Sequence, residues 1–372
     1  MHVSHADQPD SAASGAAGAF GASGDLFAEL GTLHVLGGKQ RNPAGMRELD
    51  TQWYGYGNGV AIELTDGSPA PAHEWHSRPG TYGPDDPILF KSAQLVGDLL
   101  YACSQTEAMI FRYPDFELLH HISHPLFNDV HHAVPGPMLD AASSTGQAGS
   151  VPDTVCVAVS GQDAVMEVSL DGELVGLWRV DGRDHAGLID QTRDYRINTK
   201  LKPHASHPNY LFRMPDGTLW VNRFETRDAV QVGDTTRRIG IDRERCHDGV
   251  VLDGLVHFTT VDGHVVAADT ETLEVVREQP LSGKRDDGLL GWCRGLTFIG
   301  DHAVVGFSRI RHTKVRGALS WVRTGFTHAE PTRIAVYDRR TWALVDEVDL
   351  EPAGCNAVFS IISEQQSGGH GG

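Results

Sequence analysis

Short runs of alternating apolar and polar residues, broken by Gly, Asp and Pro, fill the chain from about residue 31 to residue 362. Alternation of this kind is typical of β-strands with one buried face, and no convincing helical periodicity interrupts it. The runs come in groups of four, most clearly in the segments CHDGVVLDG, LVHFTTVDG, HVVAADTET and LEVVREQ that begin at Cys246. Repeated groups of four short strands joined by tight turns predict an all-β propeller rather than a sandwich.

The number of these groups predicts six blades. Five complete groups begin near Phe90, Phe127, His204, Cys246 and Gly291, and the final strand GCNAVFSII has no outer strands of its own. The N-terminal segments GTLHVLGG and VAIELTDG would supply them, so the ring is predicted to close by pairing N-terminal strands with the C-terminal strand. Five or seven blades remain alternatives. The propeller spans 31–363, and Ala-, Gly- and Ser-rich composition predicts disordered tails at 1–30 and 364–372.

Composition restricts the partners of such a propeller. The formal net charge of −18 is spread along the 372 residues, without the basic footprint that nucleic-acid binding requires. No run approaches the roughly 18 apolar residues of a membrane-spanning helix, and the N-terminus lacks a secretory signal pattern. The 5 cysteines include no C-x-x-C pair. We therefore expect reduced thiols in a cytoplasmic protein that binds neither nucleic acid nor membranes.

Aligning the inner strands on their turns brings one polar residue of each blade to the same level of the central channel. This ring consists of Lys91, His131, His207, His247, Arg294 and Asn356. In three blades a cysteine precedes the polar residue: Cys246, Cys293 and Cys355. Because side chains alternate between the faces of a strand, a polar residue that faces the channel leaves the cysteine between blades, where it is expected to pack.

Three histidines of the ring come from consecutive blades and would converge on one point. They are His131, His207 and His247, with His132 and His204 as alternates for their neighbours. Neutral imidazoles that converge in this way are ligands for one transition metal ion, with iron or copper favoured over zinc or manganese. Asp129 would be a fourth ligand or the acceptor that orients an imidazole. The alternative is a set of solvated or hydrogen-bonded channel histidines.

The cationic members of the ring predict a site for an anionic group. Asp129, Arg294 and Lys91 are the catalytic candidates, with Asp129 as base or orienting group and the two cations holding a carboxylate or phosphate. The substrate-binding candidates beside them are Arg245, Asn356 and Trp292. A structural ion pair for Arg294 and a surface position for Lys91 are the alternatives. Long inserts interrupt the pattern at 138–152, 181–202, 284–291 and 314–330, and several of them, which lie immediately before an inner strand, are predicted to lie over the same channel mouth.

These residues predict a metal-dependent enzyme that acts on a small polar, anionic metabolite at the channel mouth. Redox or oxygen chemistry is favoured, and hydrolase or lyase chemistry stays open. The alternative is a non-catalytic propeller that binds a ligand or a protein partner on a flat apolar rim, which would include Trp292, Trp321 and Phe326. No G-x-S-x-G elbow, P-loop or dinucleotide-binding G-x-G-x-x-G is present, and the histidine-rich channel does not suit calcium.

The segments FNDVHHAV, ERCHDGVVLDG and GWCRGLTFIGDHAVVGFSRIR resemble an uncharacterised bacterial β-propeller family. Its D-V-H strand start corresponds to Asp129 with His131, its R-C-H strand start to 245–247, and its late R-G-L-x-F-x-G-x-x-A-V-V-G-x-S-x-x-R blade to 294–311. The resemblance covers three blades and implies the propeller fold without a settled activity. This chain departs from it at Asp248-Gly249, where the family tends to have Leu-Asn-Gly.

Overall fold

The computed structural model describes residues 23–40, 56–83, 87–137, 151–182, 189–197, 204–284, 290–309 and 330–366. Its strands, numbered β1–β24 along the chain, form six four-stranded antiparallel sheets in a ring around a central channel. The predicted six-bladed propeller is therefore confirmed.

In each blade the four strands run in order from the channel outwards. Blade 1 contains β24 (Ala357–Ile362), β1 (Leu33–Gln40), β2 (Tyr56–Thr65) and β3 (Ser68–Trp75). Blade 2 contains β4 (Gln94–Val96), β5 (Leu99–Cys103), β6 (Ala108–Arg112) and β7 (Glu117–Ile122). Blade 3 contains β8 (Val130–Pro135), β9 (Thr154–Val159), β10 (Ala164–Ser169) and β11 (Leu174–Arg179).

The other three blades follow in chain order. Blade 4 contains β12 (Pro208–Arg213), β13 (Leu219–Arg223), β14 (Asp228–Gln231) and β15 (Asp234–Gly240). Blade 5 contains β16 (Cys246–Leu252), β17 (Leu255–Thr260), β18 (His264–Asp269) and β19 (Val275–Pro280). Blade 6 contains β20 (Trp292–Ile299), β21 (His302–Ser308), β22 (Arg333–Asp338) and β23 (Leu344–Asp349).

The ring closes in blade 1, where strands from the two ends of the chain meet. Strand β1 pairs antiparallel with both β24 and β2, and His34 lies opposite Ile362 on one side and Glu63 on the other. Pairing removes the open edge that the last strand would otherwise present. This closure confirms the prediction that N-terminal strands complete the C-terminal blade.

Each interface between neighbouring blades contains its own apolar cluster. Between blades 4 and 5, for example, Phe212 and Trp220 pack in one cluster with Cys246 and Phe258. All five cysteine side chains are free and fully buried, which confirms the packing role predicted for the thiols that precede the ring. Burial raises the pKa of the Cys156 thiol to about 12, so these thiols stay protonated at neutral pH.

A helix, α1 (Ser23–Leu30), precedes the first strand and corrects the prediction that residues 1–30 form a disordered tail. Phe27 and Leu30 are buried in the cluster between blades 6 and 1, together with Leu33 and Val35. A helix of 8 residues is too short to establish a helical period in the sequence. Residues 1–22 and 367–372 of the predicted tails lie outside the described residues. Within the described part, no helix has the length and apolarity needed to cross a membrane.

Candidate metal site at the channel mouth

Blades 3 and 4 open with the same backbone geometry. The Ser160 N–H donates to the Asp129 carbonyl in blade 3 (3.2 Å), and the Phe224 N–H donates to the His207 carbonyl at the matching place in blade 4 (3.1 Å). Asp129 and His207 also share a left-handed backbone, with φ of 51° and 56°, which is uncommon outside glycine. The two residues are therefore structural equivalents on neighbouring blades.

This equivalence corrects the predicted ring in blade 4. Two residues beyond these positions come His131 in blade 3 and Asn209 in blade 4, so His207 does not lie at the level of His131. Asn209 is fully buried, and its side-chain amide donates to the Cys246 carbonyl (2.9 Å). The expectation of three histidines at one level is therefore wrong.

The residues that do come together are Asp129, His204 and His207. Among the described residues they form one group in which each offers a ligand atom and all these atoms lie within 4.8 Å of one another. His204 Nδ1 lies 2.6 Å from His207 Nδ1 and 3.9 Å from Asp129 Oδ2. His204, named from the sequence as the alternate to His207, thus joins His207 in the compact group, which His131 and His247 do not enter, and Asp129 contributes the carboxylate.

The segment that carries both histidines is held by Asp163 of blade 3. One carboxylate oxygen of Asp163 accepts from the Ser206 N–H, the Ser206 hydroxyl and the His207 N–H, each at 2.8 Å, and the other accepts from the Ala205 N–H at 2.8 Å. Burial opposes ionisation of Asp163, but the hydrogen bonds outweigh it and lower its pKa. The carboxylate therefore fixes the turn that places His204 beside His207.

His131 lies on the other side of His207. Its Nδ1 is 2.8 Å from the Asp129 carbonyl and 2.9 Å from the Ser160 hydroxyl, and its Nε2 is 3.3 Å from His207 Nε2. Burial, followed by the charge of Lys91, lowers the pKa of His131 well below its usual value. His131 is therefore a neutral imidazole that faces His207 through Nε2.

Lys91 extends along the same group from blade 2. Its Nζ donates to Asp129 Oδ1 at 3.0 Å and to His131 Nε2 at 3.3 Å, and both members of the ion pair are 7% exposed at the side chain. The alternative of a surface lysine is therefore wrong. An ammonium held between a carboxylate and an imidazole is a fixed cation at the edge of the candidate metal group.

His247 and Arg294 lie on the blade 5 and blade 6 side of the channel. His247 is 2% exposed, and its Nδ1 is buried with no hydrogen-bond partner among the described residues. Burial, then the charge of Arg294, lowers its pKa well below the usual value. The Arg294 guanidinium lies 4.4 Å from the ring centroid of Phe359 and 5.1 Å from that of Trp292. His247 is outside the compact group of ligand atoms.

His132 does not contribute a ligand, which corrects its place as an alternate. Its Nδ1 accepts the Leu211 N–H (2.9 Å), and its ring stacks on Tyr210 with centroids 4.1 Å apart. Burial lowers the pKa of His132 to about 3. This histidine is a fully buried, neutral residue that joins blade 3 to blade 4.

Two of the predicted substrate-binding residues make structural contacts instead. The side-chain oxygen of Asn356 accepts the Gln40 N–H (2.9 Å), which ties the closing strands together. Arg245 forms ion pairs with Glu225 (3.2 Å) and Glu244 (3.4 Å). The third predicted residue, Trp292, stacks on Phe224 at the mouth, with centroids 6.3 Å apart.

Several buried residues near the channel could not be predicted from the sequence. Asp163 and Ser160 lie on the turn after β9, and no spacing or motif distinguishes them from other turn residues. Asp248 is also buried, where it accepts hydrogen bonds from Thr259 and from the Gly295 N–H, and burial raises its pKa to about 6. The predicted inserts at 138–152, 284–291 and 314–330, with Trp321 and Phe326, lie largely outside the described residues. Half of the insert 181–202 is described, and within it Tyr195 is buried and donates its N–H to the Pro125 carbonyl (2.7 Å).

Comparisons with known proteins show the fold alone. No protein-family model and no curated protein matches the sequence. A crystal structure of a protein of unknown function from Bacteroides caccae is similar with a TM-score of 0.55 and 12% identity, over 89% of this chain and 98% of that one.

Two other solved structures are less similar. A chain of a nidogen–laminin complex gives a TM-score of 0.49 at 11% identity, over 89% of this chain and 97% of that one. A catalytically inactive virginiamycin B lyase from Staphylococcus aureus, with quinupristin, gives 0.45 at 10% identity, over 80% and 79%. At such identities, likeness of fold does not transfer an activity.

Proposed function

We propose that this propeller is a metal-dependent enzyme that holds one metal ion between Asp129, His204 and His207 at the channel mouth. The observation that carries the proposal is the close approach of three ligand atoms from two blades, all within 4.8 Å of one another. Asp163 supports it further, because its buried carboxylate accepts four hydrogen bonds from the turn that places the two histidines side by side.

The donor set favours iron. Two histidines and one carboxylate that leave other coordination positions open are the ligand set of non-haem Fe²⁺ enzymes, whereas copper sites usually take more nitrogen or sulfur. Bound iron would supply redox chemistry with dioxygen, which agrees with the chemistry favoured from the sequence. Zinc accepts the same ligands, so a hydrolase or lyase with a metal-activated water is the second candidate.

The substrate is proposed to be a small anion that enters from the side of blades 5 and 6. Arg294 presents its guanidinium to the rings of Trp292 and Phe359. His247 offers a buried, neutral Nδ1 on the same side. Arginine in an aromatic frame binds carboxylates well because its planar charge is held in place.

Metal analysis of the purified protein tests this function. The parent should hold about one iron per chain after anaerobic loading with Fe²⁺, and His204→Ala should lose it while remaining folded. His302→Ala is the matched control, because it removes a half-buried imidazole at the start of β21 and outside the ligand group. No binding of iron, zinc, copper or manganese by the parent would contradict the proposal and favour a non-catalytic binding propeller.

A further inference from the structure

We propose that His131 is a positioning residue rather than a metal ligand: it holds the His207 ring in the tautomer whose Nδ1 can bind the metal. This inference rests on the proposed metal site. It assigns different tasks to the two nitrogens of His207, which face opposite neighbours. Nδ1 lies 2.6 Å from His204 Nδ1, and Nε2 lies 3.3 Å from His131 Nε2.

The proton on His131 follows from its partners. A carbonyl oxygen only accepts, so the 2.8 Å contact between Nδ1 and the Asp129 carbonyl requires a proton on Nδ1. The Ser160 hydroxyl, 2.9 Å from the same nitrogen, donates to the Pro208 carbonyl and can accept in turn. On the other side Lys91, which has only donors, approaches Nε2 at 3.3 Å. His131 Nε2 therefore carries a lone pair.

The proton on His207 follows in the same way. Because His131 Nε2 is an acceptor, the contact between the two Nε2 atoms requires His207 to donate from Nε2. A neutral imidazole with its proton on Nε2 has its lone pair on Nδ1, which faces His204 Nδ1, and His204 Nδ1 in turn lies 3.9 Å from the Asp129 carboxylate. The order of hydrogen bonds from the Asp129 backbone through His131 thus prepares His207 for the metal.

Geometry also argues against His131 as a ligand of the same ion. The two lone-pair directions of one imidazole diverge, so a metal bound to His207 Nδ1 lies away from the Nε2 side, where His131 is found. His131 is accordingly absent from the compact group of ligand atoms among the described residues. Partners that orient a metal-bound histidine in this way typically change metal affinity by about 10–100-fold when they are removed.

Two variants of the full-length protein test the inference. His131→Leu removes the acceptor for His207, and its dissociation constant for Fe²⁺ or Zn²⁺ should rise by about 10–100-fold. His131→Gln keeps a side-chain oxygen that can accept from His207 and should recover part of that loss. Equal affinity of His131→Leu and the parent would overturn the inference, and His302→Ala should bind as the parent does.

Spectroscopy separates this inference from the proposed function. With Cu²⁺ as a probe, pulsed electron paramagnetic resonance should count the same number of coordinated imidazoles in the parent and in His131→Leu. A loss of one imidazole in His131→Leu would make His131 a ligand and overturn the inference, while the metal site itself would stand. Failure of the parent to bind any metal would overturn the proposed function and this inference with it. In the metal-free parent, long-range ¹H–¹⁵N spectra should place the His207 proton on Nε2, and a proton on Nδ1 would contradict the proposal.

Discussion

The turn that carries His204 and His207 depends on a single buried carboxylate, and Asp163→Asn is the sharpest perturbation of it. Asparagine has the same shape but keeps one acceptor oxygen and replaces the other by an NH₂ donor. In the parent, Asp163 Oδ1 accepts three hydrogen bonds and Oδ2 accepts one, all at 2.8 Å. Whichever way the amide turns, its NH₂ group faces a backbone N–H.

The magnitude follows from that mismatch. Hydrogen bonds to a charged group contribute about 1.5–3 kcal/mol each, and a donor left facing a donor costs a comparable amount. The native conformation of the turn should therefore be destabilised by about 2 kcal/mol in the variant. Because His204 and His207 both lie on the turn, metal binding must restore that conformation, and the cost is subtracted from the binding free energy. Since about 1.4 kcal/mol corresponds to tenfold in a dissociation constant, metal affinity should fall by about 30-fold.

Competition with a chromophoric chelator measures this change directly. Asp171→Asn is the control, because it makes the same chemical change at an exposed position in the turn between β10 and β11. The reasoning predicts a weaker metal complex in Asp163→Asn with little change in Asp171→Asn. An affinity within about twofold of the parent would refute the view that Asp163 holds the ligand turn.

Three further predictions concern stability. Burial opposes ionisation of Glu107, but hydrogen bonds from His121 and others outweigh it and lower its pKa from 4.5 to about 2. Glu107→Gln should therefore lose about 3 kcal/mol of unfolding free energy at pH 7, and this deficit should be full above pH 4.5 and shrink as the pH falls towards 2. Urea unfolding measures the deficit, and a deficit that stayed constant across this pH range would contradict the prediction. The five buried thiols should resist a thiol reagent in the native protein and react in denaturant, and native labelling would refute their burial. Asn356→Ala should speed hydrogen exchange at Gln40 by loosening ring closure by about 1 kcal/mol, and unchanged exchange would contradict that role.

The fold could be predicted because its signals are local. Period-two alternation and tight turns recur within the sequence of each blade. The last strand has no partners nearby in the sequence, so its outer strands had to come from the N-terminus, and β1 and β2 provide them. The helix α1 could not be predicted in the same way. Its order comes from burying Phe27 and Leu30 against blade 1 and against blade 6, which is distant from the helix in sequence, and no local pattern indicates that contact.

The level of each polar residue in the channel was harder to predict. Strand alternation fixes which face a residue occupies only while the register is regular, and each of β8, β12, β16 and β20 has an irregularity near its start. The starts of β8 and β12 have the same irregularity at matching places, Val130–His132 and Pro208–Tyr210, so Asn209 rather than His207 lies level with His131. Residue type does not mark these matching places, since Asp129 and His207 adopt a left-handed backbone without being glycine.

The ring predicted from the sequence takes one polar residue from each blade, whereas the candidate site takes its ligands unequally from two blades. Two of its three ligands come from one turn, at positions i and i+3, and the carboxylate comes from the preceding blade at the place equivalent to His207. Asp163, also from the preceding blade, holds the turn because its side-chain carboxylate accepts hydrogen bonds from the backbone N–H groups of Ser206 and His207 in the next blade. The pattern that matters is therefore D-x-H at the start of one inner strand followed by H-x-x-H at the start of the next, a spacing that blade-by-blade alignment of single residues conceals. A propeller with both motifs on neighbouring blades should bring together the same carboxylate, two ligands and orienting histidine, whereas one with either motif alone should not.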